Sequence, residues 1–157
     1  MEVDDRQFTM RIEQCDRKLY RVAMSILRSE ADAADAIQEA VFKAWLRRGT
    51  LRVEERFAAW LTRILVNECR NIQRKGARRG EAERQIEPTN APPPDPQLHL
   101  AVMSLRENLR LPLVLHHLEG YSLQEISEIL DISQTTVKSR LHQARAALRR
   151  ALEENHE

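Results

Sequence analysis

The last third of the chain carries polar side chains that could hydrogen-bond to nucleic acid. From Ile132 to Leu152 every charged residue is basic, whereas from Glu119 to Asp131 every charged residue is acidic. A cationic segment behind an anionic one is typical of a helix that faces phosphates. The neighbouring polar side chains are of types that bond to base edges or phosphates. The candidates are Gln134, Thr135, Thr136, Lys138, Ser139, Arg140, His142, Gln143 and Arg145.

Two helices joined by a tight turn must position these side chains. Ser122 and Glu125 have the spacing of a capping box, which predicts a helix start. A break at residues 131–133 follows, and Ser133 can cap a second helix. The pattern predicts a helix-turn-helix, whose second helix enters a major groove. A plain amphipathic hairpin with a solvated basic face is the alternative. Apolar residues recur at helical spacing at Leu123, Ile126, Ile129 and Leu130, then at Val137, Leu141, Ala144, Leu148 and Leu152.

A second group of candidates repeats at helical spacing in the middle of the chain. Arg63, Asn67, Arg70 and Arg74 are spaced so that they share one face of a helix. The asparagine can read a base edge while the arginines hold phosphates or stack on bases. A solvated arginine face would give the same spacing, so both interpretations stay open.

The composition predicts an almost all-helical protein. Of its 157 residues, 42% are hydrophobic and 31% are charged, and no β-branched alternation is visible. Because no membrane span or signal peptide is apparent, we expect a cytoplasmic protein. We expect no enzyme, cofactor, metal or small-molecule substrate, since no phosphate loop, nucleophile elbow or paired carboxylates appear. The adjacent His116 and His117 have no acidic partner at ligand spacing.

Charge is unevenly distributed around a net value of +1. Residues 1–42 carry a net charge of −3 and residues 43–84 a net charge of +7. Phosphate neutralisation sets most of the non-specific affinity for DNA. Two basic patches on a near-neutral chain therefore predict weak, salt-sensitive binding, and a larger partner that holds the protein on DNA.

A proline-rich segment at residues 87–97 divides the chain into two helical blocks. We expect a first domain at 8–80, a linker at 81–100 and a winged-helix-type helix-turn-helix domain at 101–153. The first domain should contain three main helices, and the second domain should open on a capping box at Ser104 and Glu107. The residues predicted to be buried are Cys15, a small hydrophobe, on the first helix, Ala34, Ile37, Val41, Ala44 and Trp45 on the second, Phe57, Trp60, Leu61, Ile64 and Leu65 on the third, and Leu105, Leu109, Leu113 and Leu118 in the second domain.

Five motifs along the chain together resemble a known family. They are Asp32-Ala-Ala-Asp-Ala-Ile-Gln-Glu-Ala-Val-Phe-Lys-Ala-Trp45, Phe57-Ala-Ala-Trp-Leu-Thr-Arg-Ile-Leu-Val-Asn67, Leu111-Pro-Leu-Val-Leu115, Leu118-Glu-Gly-Tyr-Ser122 and Thr136-Val-Lys-Ser-Arg-Leu-His-Gln-Ala-Arg145. The first two resemble the second conserved region of the extracytoplasmic-function sigma factors, the short specificity subunits of bacterial RNA polymerase. The last three resemble the fourth conserved region, and the order along the chain is also that of the family.

The resemblance implies two small all-α domains and a division of roles among the candidates. It implies that core RNA polymerase, promoter DNA and an anti-sigma factor are the partners. Docking on the polymerase clamp falls to Asp35, Gln38, Glu39 and Phe42. Recognition and opening of the minus-ten element fall to the loop of residues 47–56 and the helix after it. These minus-ten residues are Arg48, Arg52, Arg56, Phe57, Trp60, Arg63, Asn67, Arg70 and Arg74.

The resemblance assigns the helix-turn-helix to the minus-thirty-five element. Lys138, Ser139, His142 and Gln143 match positions that meet this element, while Arg140 and Arg145 contact phosphate or form ion pairs within the domain. Two other interpretations also fit the sequence. They are a helix-turn-helix regulator that binds duplex DNA alone, and a homologue that binds polymerase without melting DNA.

Overall fold

The computed structural model describes residues 4–78 and 95–154, and all regular structure in these ranges is helical. The chain divides into an N-terminal unit, Met1–Glu87, and a C-terminal unit, Pro88–Glu157. The predicted all-α class with two helical domains is therefore confirmed. Residues 81–94 of the predicted linker lie outside the described residues. No helix in the described ranges is both long and apolar enough to span a membrane.

Within residues 4–78, the N-terminal unit contains three helices that each pack on the other two. They are α1 at Asp5–Leu27, α2 at Glu30–Leu46 and α3 at Phe57–Arg78. Short 3-10 turns at Arg48–Thr50 and Glu54–Arg56 lie in the loop between α2 and α3. The three helices bury one core, which includes Cys15 on α1, as the sequence predicts.

Local signals in the sequence explain where α1 ends and α2 begins. Arg28 ends α1 in the left-handed conformation, with φ 58°, and donates its backbone N–H to the Met24 carbonyl. The Ser29 hydroxyl then accepts from the Asp32 backbone N–H at 3.2 Å, which satisfies a donor at the start of α2. The two helices can therefore reverse direction within two residues.

A stripe of alanines, rather than large apolar residues, forms the buried face of α2. Because alanine is small, such a stripe lets the three helix backbones approach closely. The predicted inward face is correct at Ala44 but is otherwise shifted by about one position: Ala34 is exposed, and the larger side chains predicted to point inward are only half-buried. The wholly buried residues are Ala33, Ala36, Ala40 and Ala44, and the half-buried ones are Ile37, Val41 and Trp45.

This close packing predicts that an enlarged stripe destabilises the unit. We expect Ala40→Leu to lower the free energy of unfolding by about 1–3 kcal/mol, since overpacking forces shifts of backbone and rotamers. Ala34→Leu, on the exposed side of the same helix, should have almost no effect. Urea unfolding followed by tryptophan fluorescence measures this unit selectively, because both tryptophans, Trp45 and Trp60, lie in it. Equal effects of the two substitutions would contradict the prediction.

The described part of the C-terminal unit contains four α-helices and one π-helical turn. They are α4 at Pro96–Ser104, α5 at Glu107–Leu113, the π turn at Val114–Leu118, α6 at Leu123–Leu130 and α7 at Gln134–Glu154. One apolar cluster joins α4 and α5 to α7. Its residues are Val102, Leu105, Leu109, Leu113, Val114 and Ala144, with Ala147 and Leu148 packed against them.

The predicted linker is too long at its C-terminal end, because α4 begins at Pro96. The Asp95 carboxylate accepts from the Leu98 backbone N–H at 3.1 Å, and the proline takes the first helical position. Proline is favoured there, since the first turn of a helix leaves its N–H groups without intrahelical partners. The second helical block therefore starts about five residues before the predicted boundary at residue 101.

Three further predictions about the C-terminal unit are wrong. Ser104 does not cap α5: its hydroxyl donates to the Ala101 carbonyl at 2.6 Å, and Arg106 occupies the N-cap position. Leu118 does not join the core, because it is the exposed end of the π turn. Residues 95–154 contain no β-strand, so the wing of a winged helix is missing from this domain.

The predicted capping box and turn of the helix-turn-helix are confirmed. Glu125 donates its backbone N–H to the Ser122 hydroxyl at 3.0 Å, and the Ser122 N–H donates to the Glu125 carboxylate at 3.0 Å. Asp131 ends α6 in the left-handed conformation, with φ 55°. The Ser133 hydroxyl then accepts from the Thr136 backbone N–H at 3.1 Å and caps α7.

Candidate nucleic-acid interfaces

The exposed side of α7 gathers the candidates of the last third on one helix. Its buried side is the predicted apolar seam, which holds α7 against the rest of the unit. Most candidates point into solvent, and two are half-buried. The exposed ones are Gln134, Thr135, Lys138, Ser139, His142, Gln143 and Arg145, and the half-buried ones are Thr136 and Arg140.

Two of these candidates form contacts within the helix that affect how they can meet DNA. The Thr136 hydroxyl lies 2.9 Å from the Ser133 hydroxyl, so it belongs partly to the cap of α7. The Gln143 amide donates to the Ser139 hydroxyl at 3.2 Å. Ser139 therefore orients an exposed amide that carries both a donor and an acceptor.

The Arg145 side chain contacts the π turn of its own unit. Its guanidinium lies 3.4 Å from Nε2 of His117, whose ring packs edge-on against His116 at 4.9 Å between centroids. Burial, the neighbouring imidazole and the guanidinium all lower the pKa of His117. The lowered pKa favours a neutral ring, which can accept from Arg145. Arg145 therefore has a contact within its own domain, but a hydrogen bond to a neutral ring is not the predicted ion pair, and the phosphate contact stays a prediction.

The second group of candidates lines one side of α3. Arg63, Asn67 and Arg74 are exposed, and Arg70 and Trp60 are half-buried. The group spans residues 60–74, about 21 Å at the helical rise of 1.5 Å per residue. Arg74 also donates to the Asn71 side-chain oxygen one turn earlier. The result is a cationic strip with a partly accessible indole at one end, which suits phosphates and a stacked base.

Phe57 is a core residue, so its predicted contact with DNA is wrong. Its side chain is only 3% exposed. Its ring packs edge-on against Phe8, with 5.9 Å between centroids, and lies 5.8 Å from the ring of Trp60. A base cannot stack on a ring that is already enclosed by two other aromatic rings. Phe57 instead supports Trp60, which is the accessible aromatic side chain at this end of α3.

The arginines of the loop between α2 and α3 differ in their surroundings. Arg48 is half-buried: its guanidinium lies 3.7 Å from the ring centre of Trp45 and donates to the Trp45 carbonyl at 2.8 Å. Arg52 and Arg56 are exposed. The contacts of Arg48 fix the start of the loop, so the two exposed arginines are better placed to meet phosphates.

The four α2 candidates lie on one exposed side of that helix, and their composition differs from that of the cationic surfaces. Asp35, Gln38 and Glu39 are exposed, and Phe42 is 56% exposed. Sequence reasoning missed Leu46, which is 63% exposed one turn beyond Phe42. Two carboxylates would repel phosphates, and two neighbouring apolar side chains would stay in water. The composition therefore fits a protein partner.

Both units match models of known protein families. Residues 11–79 match the model described as Sigma-70 region 2, and residues 96–148 match Sigma-70, region 4. The ECF RNA polymerase sigma factor SigM of Mycobacterium tuberculosis is 33% identical over 150 residues, which cover 87% of this chain and 72% of SigM. The chain belongs to the ECF family of RNA polymerase sigma factors. It is therefore a DNA-binding factor that directs promoter-specific initiation of transcription.

Other relatives place this sigma factor in the same family along most of its length. The RNA polymerase sigma-H factor of Pseudomonas aeruginosa is 25% identical over 170 residues, covering 96% of this chain and 88% of the relative. The sigma factor RpoE of Bartonella quintana, solved in complex with the anti-sigma factor NepR, has a TM-score of 0.81 at 25% identity. That comparison covers 93% of this chain and 96% of RpoE. Because both regions match, a helix-turn-helix regulator that acts alone is not supported.

Proposed function

We propose that three surfaces of this sigma factor divide the work of initiation. The acidic and apolar side of α2 docks on core RNA polymerase. The loop between α2 and α3, together with the cationic strip of α3, recognises and opens the minus-ten element. The exposed side of α7 reads the minus-thirty-five element. The observation that carries this assignment is the segregation of charge, with carboxylates on α2 and guanidinium groups on α3 and α7.

The docking surface combines two kinds of contact. Asp35, Gln38 and Glu39 provide hydrogen-bond acceptors and negative charge, which steer the protein towards a basic site and fix its orientation. Phe42 and Leu46 extend the same side of α2 with apolar area that a partner can cover. Desolvated aromatic and apolar groups contribute most of the affinity in protein interfaces. Leu46 is therefore added to the docking set.

The minus-ten surface is built to accept a base that has left the stack. Trp60 offers a half-exposed indole that Phe57 supports from behind. Asn67 lies two turns further along the same side of α3 and can bond a base edge. The surrounding Arg63 and Arg70 can hold the phosphates on either side of an extruded nucleotide. This arrangement supplies a stacking platform, a polar reader and a charged track, the parts that recognition of single-stranded DNA requires.

The minus-thirty-five surface reads duplex DNA. Ser139, His142 and Gln143 project from the exposed centre of α7 and can bond base edges in a major groove. Lys138 lies on one flank of these readers and can contact adjacent bases, while Arg140 lies on the other flank and can contact phosphates. The preceding helix, α6, carries acidic side chains and places α7 through the turn at Asp131.

The small net charge implies that polymerase must hold these surfaces on a promoter. At a net charge of +1, the chain lacks a large excess of cations with which to bind duplex DNA tightly on its own. Because these surfaces act by binding polymerase and positioning DNA, we assign the protein no enzymatic step, cofactor or small-molecule substrate. We place it in the cytoplasm, where its polymerase works.

An anti-sigma factor is the partner that would keep these surfaces inactive. RpoE of Bartonella quintana was solved in complex with the anti-sigma factor NepR. We extend this kind of partner to the present chain, whose fold matches that of RpoE at a TM-score of 0.81. A protein that covers the docking side of α2 would block access to polymerase directly.

Run-off transcription tests the proposed function. We expect the full chain, mixed with core polymerase and a library of bacterial promoter fragments, to produce starts that core polymerase alone does not produce. The selected fragments should share two elements about two helical turns apart, at minus ten and minus thirty-five. The absence of new starts, with a competent control sigma factor active in parallel, would overturn the proposal.

A further inference from the structure

The loop between α2 and α3 is held to the N-terminal unit at three points. At its start, Arg48 stacks on Trp45 and bonds to the carbonyl of that residue. In its middle, Leu51 is buried. At its end, Glu54 is bound by Arg11, a residue of α1 that lies 43 positions earlier in the sequence. The loop therefore has a defined course although it contains no long helix or strand.

The contact made by Arg11 differs from an ordinary surface ion pair. One guanidinium nitrogen donates to the Glu54 backbone carbonyl at 3.0 Å, while the other bonds to the Glu54 carboxylate. The same guanidinium lies 5.7 Å from the ring centre of Phe57, the first residue of α3. The Arg11 side chain is 27% exposed. Because the rigid, planar guanidinium contacts the Glu54 carbonyl, the Glu54 carboxylate and the Phe57 ring together, Arg11 fixes the position of the loop backbone as well as pairing with the charge of Glu54.

Two exposed residues lie between the second and third anchors. Arg52 is exposed, and Val53 is 45% exposed, although valine is a residue type that is commonly buried. Leu51 on one side and Glu54 on the other are both held, so Arg52 and Val53 form the free crest of the loop. A crest of one cation and one branched apolar side chain suits a phosphate and the face or edge of a base.

We propose that Arg11 is a positioning residue for promoter recognition, which acts through Glu54 to hold the crest at Arg52 and Val53 against the minus-ten element. This inference rests on the proposed function of the loop. Without Arg11, the crest would sample many conformations, and binding would have to order it at an entropic cost. Selectivity for the bases that touch the crest should then fall, while recognition of the minus-thirty-five element stays unchanged.

The test uses holoenzyme assembled from the full chain and core polymerase. Wild-type holoenzyme first selects promoters from a library with randomised minus-ten and minus-thirty-five elements. The same selection is then repeated with Arg11→Gln, Glu54→Gln, the double variant and Arg11→Lys. Arg17→Gln is the matched control, because it makes the same change at an exposed position of the same helix. Fluorescence of 2-aminopurine, placed at the selected upstream minus-ten position, measures opening of that base.

We expect Arg11→Gln to reduce base preference at the upstream edge of the minus-ten element by about fivefold to tenfold, the size of one good base contact. Glu54→Gln should have a smaller effect, since the backbone carbonyl still binds the guanidinium. The double variant should match Arg11→Gln, because residues that act as a unit are not additive. Arg11→Lys should restore part of the preference, and Arg17→Gln should behave as wild type.

The outcomes separate this inference from the proposed function. If wild-type holoenzyme selects no two-element promoters, the proposed function fails. If wild type selects them, but Arg11→Gln and Glu54→Gln keep the wild-type minus-ten preference, the positioning role fails. An equal loss of preference at both elements would indicate general damage and would also overturn the inference. Tryptophan fluorescence in urea verifies folding, and Glu54→Gln, which keeps the backbone bond, provides the milder variant if Arg11→Gln unfolds.

Discussion

Reversal of two charges on α2, by Asp35→Arg and Glu39→Arg in one chain, is expected to prevent assembly with core RNA polymerase. Both carboxylates are exposed and lie one turn apart on the proposed docking side. Like charges brought together across an interface cost several kcal/mol, so we expect affinity for core polymerase to fall about 100-fold or more. Fluorescence anisotropy with the labelled full chain measures this affinity at a fixed salt concentration.

A second pair of charge reversals, outside the proposed docking surface, distinguishes an effect of that surface from an effect of net charge. Glu13 and Asp16 are exposed acids on α1, so Glu13→Arg and Asp16→Arg change the net charge by the same amount. The control should bind core polymerase within about twofold of wild type, since exposed charges outside an interface contribute little. Equal losses of affinity in the two variants would show that overall charge, and not the α2 surface, governs docking.

Local sequence patterns predicted the parts of this structure that depend on near neighbours. The capping box of Ser122 and Glu125 and the cap at Ser133 involve residues three positions apart, so their chemistry is visible in the sequence. The same holds for the cationic strip of α3, which follows directly from helical spacing. These signals place two of the three proposed surfaces without knowledge of tertiary structure.

The sequence predictions are wrong where tertiary packing, or a conflict between two local signals, determines the structure. Helical spacing predicts that Phe57 is buried, whereas the family resemblance assigns it to DNA, and the Phe8 ring from another helix encloses it. The inward side of α2 was misplaced because the pattern favours large apolar residues over alanine. Proline usually breaks helices, so the sequence places Pro96 in the linker, although after Asp95 this proline begins a helix.

The loop contact of Arg11 marks the limit of what sequence could provide. Arg11 and Glu54 are 43 positions apart, and neither is among the candidate residues that the sequence singles out, although Glu54 lies in the loop assigned to the minus-ten element. A single sequence contains no signal for such a pair, because an arginine on an amphipathic helix and a glutamate in a loop are both ordinary surface residues. Only the packing of α1 against the loop shows that they meet.

The largest expected effect on promoter choice comes from the exposed centre of α7. Gln143 bears an amide that Ser139 orients, and an amide can pair with both a donor and an acceptor on one base. We expect Gln143→Ala to remove about 1–3 kcal/mol of discrimination at one position of the minus-thirty-five element, while other positions stay as selective as before. Competition transcription with a set of single-base promoter variants measures this change position by position.

Arg140→Gln provides the contrasting variant, since a phosphate contact carries no base information. It should weaken all promoter variants about equally and lower the slope of log affinity against log salt by about one. Gln124→Ala on α6 removes the same amide from the other helix and should change no base preference. If Gln143→Ala weakened every promoter uniformly, the amide would act as a phosphate contact. Base reading would then have to come from the neighbouring Ser139 and His142. The register in which α7 lies in the major groove would differ accordingly.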